Sequence, residues 1–241
     1  MAANNSDYGQ RSYWESRFED ETSFEWLSSS LDDAVKRVAE FLQPDHRIMH
    51  VGCGTSALSE RLYALGYRNI TNVDYSQVLV DRMRVAKPEF TWICADIRNM
   101  AEIGDNSIDV LIEKATIDSL LTAETDLWHR SPDLISQIDS VLSEISRVLS
   151  PNGRFISITF EQPHFRVPLY AKTEFNWSLT VEPPIGDQLP VFMYCMHKGK
   201  PLNMVHLTPF LYSVINGQTE NMVVKRVEFH DSDNFLASIQ L

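Results

Sequence analysis

The sequence predicts an α/β fold: a seven-stranded, mostly parallel sheet with an antiparallel edge strand and helices on both faces. Three observations predict it. Between residues 31 and 160, short apolar runs alternate with stretches whose apolar residues recur every three or four positions. A glycine turn, Gly52-Cys53-Gly54, joins the first apolar run to the helical stretch that follows it. Beyond residue 160 the alternation stops, and two strand-like runs are separated by a Pro-containing connection with no crossover helix.

The elements follow in order. Leu31, Val35, Val38, Phe41 and Leu42 lie on one face of a helix that Pro44 stops. Ile48-Met49-His50-Val51 is a buried strand entering the glycine turn. From Ser56, the positions of Ala57, Leu58, Leu62 and Leu65 are helical, and Gly66 is placed for a left-handed cap. A strand over residues 69–73 ends at Asp74. Ser76 caps a helix carrying Val78, Leu79 and Met83 up to Pro88, and a strand over 90–94 ends near Asp96. Residues 108–112 form the next strand, ending at Glu113 and Lys114. A long helix spans about 133–149, and Pro151-Asn152-Gly153 turns into a strand over 155–160. Residues 177–181 and 191–196 read as the antiparallel edge, while 200–230 have weak periodicity and no assigned functional residue.

With 241 residues, 44% of them hydrophobic, the chain can bury a sizeable core, and without repeat or linker it reads as one domain, 1–241. Its 21 Lys and Arg against 33 Asp and Glu give a net charge of −12, which argues against a grip on nucleic acid. Nearly all of this excess falls in residues 1–40 and 102–126. It reads either as solvated acidic faces or as a rim that attracts a basic partner. Three dispersed cysteines suggest a reducing compartment, and no metal-ligand spacing is present. Without a secretory core, transit character or membrane-length apolar run, the expectation is a cytoplasmic protein with no membrane partner.

The strongest chemical signal is Val51-Gly52-Cys53-Gly54-Thr55-Ser56-Ala57 between strand and helix, with Asp74 at the tip of the following strand. Glycines let the backbone approach a ligand, and a carboxylate there can accept bonds from ribose hydroxyls. Gly52 and Gly54 could equally serve a tight structural turn. The stretch also satisfies G-x-G-x-x-A, so a nicotinamide dinucleotide competes. Asp96, positioned for an adenine amino group, and Ile97, positioned against a purine ring, favour a different nucleoside cofactor, with Glu113-Lys114 closing its far end.

This order of glycine loop, ribose carboxylate, adenine carboxylate and fourth-strand motif resembles the class I S-adenosylmethionine-dependent methyltransferases, which have a Rossmann-like fold. Residues 13–18 and 25–27, GCGTSALSERLY, NITNVDYS, residues 113–120 and LSEISRVLSPNGRFISIT resemble, more narrowly, the methyltransferase-like branch that modifies lysines of translation elongation factor 1-alpha. His164-Phe165-Arg166, residues 196–199 and the ending 231–241 extend the likeness over nearly the whole chain. The resemblance implies S-adenosylmethionine as cofactor, contacted by Trp14, Phe18, Trp26, Gly52, Asp74, Tyr75, Asp96, Ile97 and Lys114. It divides the chain into a covering segment (1–30), a cofactor-binding core (31–160) and a sheet edge with substrate-side elements (161–241). It further implies a basic protein partner, elongation factor 1-alpha, methylated on a lysine. The sequence departs from the family pattern at Thr55, where Asn is common, at Phe18, where Tyr is frequent, and at Ala115, where Gly is usual.

Several of these residues also have plain structural readings. Trp14, Phe18 and Trp26 could anchor the N-terminal segment, and Lys114 could pair with Glu113 at the surface. Cys53 reads as a small buried residue rather than a nucleophile. Asp118 reads either as a helix cap or as a group facing the incoming amine. Methyl transfer to an amine is an in-line displacement that needs alignment and no covalent enzyme intermediate. Glu113 and Asp118 are therefore candidates to orient the amine or accept its proton, and the acidic stretches are expected to form a rim for a basic substrate. A small-molecule methyltransferase and an inactive cofactor-binding interaction module are the alternatives.

Overall fold

The structure is a computed structural model that describes residues 5–124, 126–186 and 190–215. A short 3-10 helix, Asn5–Gly9, leads into α1 (Arg11–Asp20) and α2 (Leu31–Ala39). Then come β1 (Ile48–Val51), α3 (Leu58–Ala64), β2 (Ile70–Asp74), α4 (Gln77–Ala86), β3 (Thr91–Cys94) and β4 (Ile108–Lys114). The chain continues through α5 (Thr116–Leu121), α6 (Pro132–Val148), β5 (Leu149–Thr159), α7 (Pro163–Tyr170), β6 (Trp177–Val181), β7 (Phe192–Lys198) and α8 (Met204–Ile215). The seven strands are ordered β3-β2-β1-β4-β5-β7-β6. β1 to β5 pair in parallel, and β7 pairs antiparallel with both β5 and β6. The antiparallel strand thus lies one place in from the edge, and β6 outside it runs with the parallel set.

Both faces of the sheet are covered. On one, Leu31, Val35 and Val38 of α2, Leu58 and Leu62 of α3 and Leu79 and Val80 of α4 are buried against the strands. On the other, Ile117 of α5, Ile138, Val141, Leu142 and Ile145 of α6 and Val167 of α7 do the same. Each such side chain contributes about 1.5–3 kcal/mol of apolar burial, which explains why strands covered twice read as unbroken apolar runs.

The element boundaries differ from the expected ones where turns intervene. α2 ends at Ala39, and residues 40–42 continue as a tighter turn toward Pro44 (Phe41 N–H to Val38 O, 3.0 Å). β5 begins at Leu149 rather than at 155, because the backbone extends directly from α6 and Leu149 pairs with Ile108. Short helices α1, α5 and α7 were not legible as periodic stretches. α8 occupies 204–215 of the segment without clear periodicity. The ending 231–241 and the remainder of 200–230 lie outside the described residues.

The chain reverses direction across the sheet between β1 and β4, and ligands of such sheets bind at the carboxyl ends of the strands beside that point. Register brings the tips together: Val51 lies opposite Val73 and Glu113, Asp74 opposite Cys94, and Glu113 opposite Ser157.

Candidate active site

The glycine turn follows β1 at this point. Gly52 and Gly54 adopt φ of +57° and +49°, values that side chains resist. A Cβ at Gly52 would stand 2.3 Å from the Thr116 side chain, so α5 closes directly on the turn. At Gly54 a Cβ would fill the gap in front of the Phe18 ring, 3.6 Å away. Asp74 is buried and braces the turn: Oδ2 accepts from Gly54 N–H and Oδ1 from Ser76 N–H, both at 3.0 Å. Burial pushes its carboxyl up to about 6 although these two N–H groups pull the other way.

The N-terminal segment lies on this turn, and its carboxylates bind the helix starts around it. Glu25 accepts from Ser56 hydroxyl (2.8 Å) and Ala57 N–H (3.2 Å) at the entry of α3. Glu15 accepts from Ser76 hydroxyl (2.7 Å) and Gln77 N–H (3.3 Å) at the entry of α4. Glu21 accepts from Thr55 hydroxyl at 2.9 Å, and Arg82 of α4 donates back to Phe18 O and Glu21 O at 2.7 Å each. Helix N-termini present unpaired N–H groups and a positive dipole end, which is why acids serve there.

Lys114, at the tip of β4, points inward with a side chain 2% exposed and meets Glu25 Oε1 at 2.6 Å. Burial opposes ionisation of Glu25, yet the Lys114 ammonium and the Ser56 and Ala57 bonds hold its carboxyl below the usual range. Lys114 is therefore in a buried pair with Glu25, and the surface pair with Glu113 does not form. Around it Trp14 lies 5.6 Å from the Phe18 ring and 6.3 Å from Trp26, while Arg17 sits over Trp14 and Trp26. Tyr75 follows Asp74, with Arg11 over its ring. Asp96 and Ile97 stand beyond the tip of β3. Arg98 grips the Asp96 carboxylate from 2.6 Å, lowering it against the opposing effect of burial. Ile97 is buried.

Glu113 and Asp118 differ in placement. Glu113 is enclosed: Oε2 accepts from Thr116 N–H (3.0 Å) and Ile117 N–H (3.2 Å), and Oε1 from the Ser157 hydroxyl. Burial, reinforced by the nearby Asp118 charge, raises its carboxyl to about 7. Asp118 is not a cap, because it lies inside the first turn of α5, whose N-cap is Ala115. Its Oδ1 accepts from the Thr159 hydroxyl (2.5 Å) and pairs with the fully buried Arg166 (3.1 Å). Its Oδ2 is buried and has no hydrogen-bond partner among the described residues. Arg166 also pairs with Glu161 (2.9 Å), which in turn pairs with Arg130.

The carboxylates of the two acidic stretches divide between inward and outward positions, with Glu19, Asp20 and Asp126 exposed. Glu15, Glu21 and Glu25 face inward onto the glycine turn and helix starts. Asp105 and Asp109 pair with Arg147 and Arg47 at the amino end of β4, opposite the glycine turn. Glu113 is held inside the protein, and Asp118 is partly exposed with its carboxylate tied to Arg166. Sequence reasoning missed Glu15, Glu21, Glu25, Arg82, Arg130 and Arg166, since each acts on a residue distant in the chain. The available signal was that Glu15, Glu25 and Arg166 lie within stretches that carried the resemblance.

A left-handed glycine turn with Gly54 facing the Phe18 ring, carboxylates at two strand tips, an apolar residue beside one of them and further rings packed beside Phe18 fit a nucleoside that carries a sulfonium. A family model described as a methyltransferase domain matches residues 49–157. With 16% identity and a TM-score of 0.57, covering 83% of this chain and 92% of the other, a Burkholderia thailandensis 1,6-didemethyltoxoflavin-N1-methyltransferase structure shares the fold. The chain is a class I, S-adenosylmethionine-dependent methyltransferase, and S-adenosylmethionine is its cofactor. More narrowly, it is 35% identical to EEF1A lysine methyltransferase 4 of Mus musculus, over 98% of this chain and 94% of that protein. It is 36% identical, with the same coverage, to the protein of that name from Bos taurus. The chain belongs to this family of methyltransferases. No metal-ligating group of three or more side chains occurs among the described residues, and no helix among them is long and apolar enough to cross a membrane.

Proposed function

We propose that this protein methylates a lysine of translation elongation factor 1-alpha, in the cytoplasm, by direct transfer from S-adenosylmethionine. The observation that carries the reading is 35–36% identity over 98% of this chain with proteins named for that activity. Gly52, Asp74, Tyr75, Asp96 and Ile97 are the residues proposed to hold the nucleoside, and Trp14, Phe18, Trp26 and Lys114 the far end and its cover. Residues 1–30 act as that cover, 31–160 as the cofactor-binding core, and 161–241 as the sheet edge and substrate side of one domain.

When bound, S-adenosylmethionine supplies an electrophilic methyl group on a positively charged sulfur. Lysine must attack as a neutral amine, and from an ordinary pKa near 10.4 its deprotonation costs about 4.6 kcal/mol at pH 7. Asp118 is the residue proposed to orient it, because Oδ2 is an acceptor that lacks a donor while Oδ1 is fixed by Thr159 and Arg166. Glu113 supports this arrangement by holding the first N–H groups of α5, and its raised carboxyl leaves it in range to take a proton. The aromatic rings of the N-terminal segment exclude water from the turn.

Labelled cofactor with purified elongation factor 1-alpha, wild type and with single Lys→Arg replacements, tests the proposal. Label on the factor that one replacement abolishes is expected. Absence of transfer at saturating cofactor overturns the substrate, and label accepted only by small molecules would favour a small-molecule enzyme.

A further inference from the structure

The loop from α5 to α6 carries Trp128, which is 61% exposed. Its indole is nevertheless fixed in place. It stacks on His164 (centroids 5.5 Å, 25°) and meets the Phe165 ring edge-on (4.7 Å, 72°) at the start of α7. The loop beneath is tied as well: Asp126 Oδ1 accepts from Trp128 N–H (2.9 Å) and His129 N–H (3.1 Å), and Arg130 donates to Phe165 O (3.3 Å). A lone exposed apolar side chain needs no explanation, but an exposed indole packed on two further, half-buried rings is a different feature.

Its position and charge say what it fits. Phe165 precedes Arg166, whose guanidinium holds Asp118, so the rings and Asp118 share the carboxyl rim of the sheet. Asp126, whose Oδ2 meets the exposed His129 ring at 3.1 Å, and Asp133 are both exposed, while Arg130 is turned inward onto Glu161. Burial keeps His164 below its ordinary value, so its ring is neutral and does not repel a cation. We infer that Trp128, His164 and Phe165 form the docking shelf for an extended basic segment of the protein substrate, next to the lysine that enters at Asp118. Lys and Arg stems lie along aromatic faces with their charge over the ring, and the flanking carboxylates steer such a segment in. This inference rests on the protein-lysine reading proposed above.

The test uses the full chain with Trp128→Ala and Trp128→Phe. The probes are a lysine-centred peptide flanked by arginines, the same peptide flanked by glutamates, and elongation factor 1-alpha. Trp128→Ala is expected to weaken the arginine-flanked peptide and raise KM for the factor about tenfold, with kcat and cofactor affinity within about twofold. Trp128→Phe is expected to restore most of the loss. Unchanged peptide affinity and KM in Trp128→Ala overturns the shelf, as do equal binding of the glutamate-flanked peptide, failure of the wild type to bind the basic peptide, or a dimer lost on substitution. If the basic peptide binds through Trp128 while the factor is never methylated, the shelf stands and the proposed substrate falls.

Discussion

The two halves of the active-site rim use carboxylates in opposite ways. On the cofactor side, Glu15, Glu25 and Asp74 bind backbone N–H groups, so each acid fixes a turn or a helix start. On the side proposed for the substrate, Asp118 and Glu161 bind guanidinium groups of Arg166 and Arg130, and buried Glu113 beside them holds the first N–H groups of α5. The first arrangement builds a rigid cradle from local geometry. The second stores charge in a buried cluster and leaves Asp118 Oδ2 without a partner. In the proposed function binding and chemistry sit on different supports, and substitutions should separate them.

The largest effect is expected at the seam. Lys114→Ala strands Glu25 in a buried site, and removing one partner of such a pair costs about 3–5 kcal/mol. Glu25 is partly exposed, which places the expected loss near the lower end. Limited proteolysis should cut first within residues 1–30, and cofactor affinity measured by calorimetry should fall. A uniform loss of stability without early cleavage there would show that the segment is not a separate cover.

Glu113→Gln probes the other side. The folded carboxyl titrates near 7 against an ordinary 4.5, so the folded state prefers the proton. Stability from this group is fully present below pH 4.5 and is lost as pH rises to 7. Glutamine does not titrate, so the variant should gain on the wild type between pH 4.5 and 7 and hold the gain above. The upper bound is about 3 kcal/mol. Thermal unfolding across pH checks it, and a difference independent of pH would contradict the buried-charge account.

The smallest effect lies between the halves. Ala115 adopts φ +60° at the start of α5, where the family resemblance leads one to expect Gly. Ala115→Gly removes left-handed strain of about 1 kcal/mol, partly offset by the freer unfolded chain, and should raise the melting temperature slightly. A drop in melting temperature would show that the methyl group packs usefully.

The same contrast explains what the sequence disclosed. The cofactor half was legible because glycine turn, strand tip and capping serine lie close together in the chain: Gly52, Asp74 and Ser76 follow from local pattern. The alternation also specified the five parallel strands β1 to β5, and its end after residue 160 marked the two strands of the antiparallel edge. The half proposed for the substrate was not legible, because Arg166 reaches Asp118 across 48 positions, and separation likewise hid the pair of Lys114 with Glu25 in the other half, 89 positions apart. No periodicity signals such pairs. The acidic excess was informative only in part for the same reason, since composition counts charges without showing that Glu15, Glu21 and Glu25 bind the helix starts while Asp126 is exposed.

The central claim is methyl transfer to a lysine of elongation factor 1-alpha. Mass spectrometry of the intact factor and its peptides, before and after incubation with this protein and S-adenosylmethionine, tests it most directly. The account predicts added methyl mass on one lysine, lost when that lysine is Arg and strongly reduced with Asp118→Asn while cofactor binding persists. An unmodified factor, with an enzyme shown by calorimetry to bind its cofactor, would contradict it.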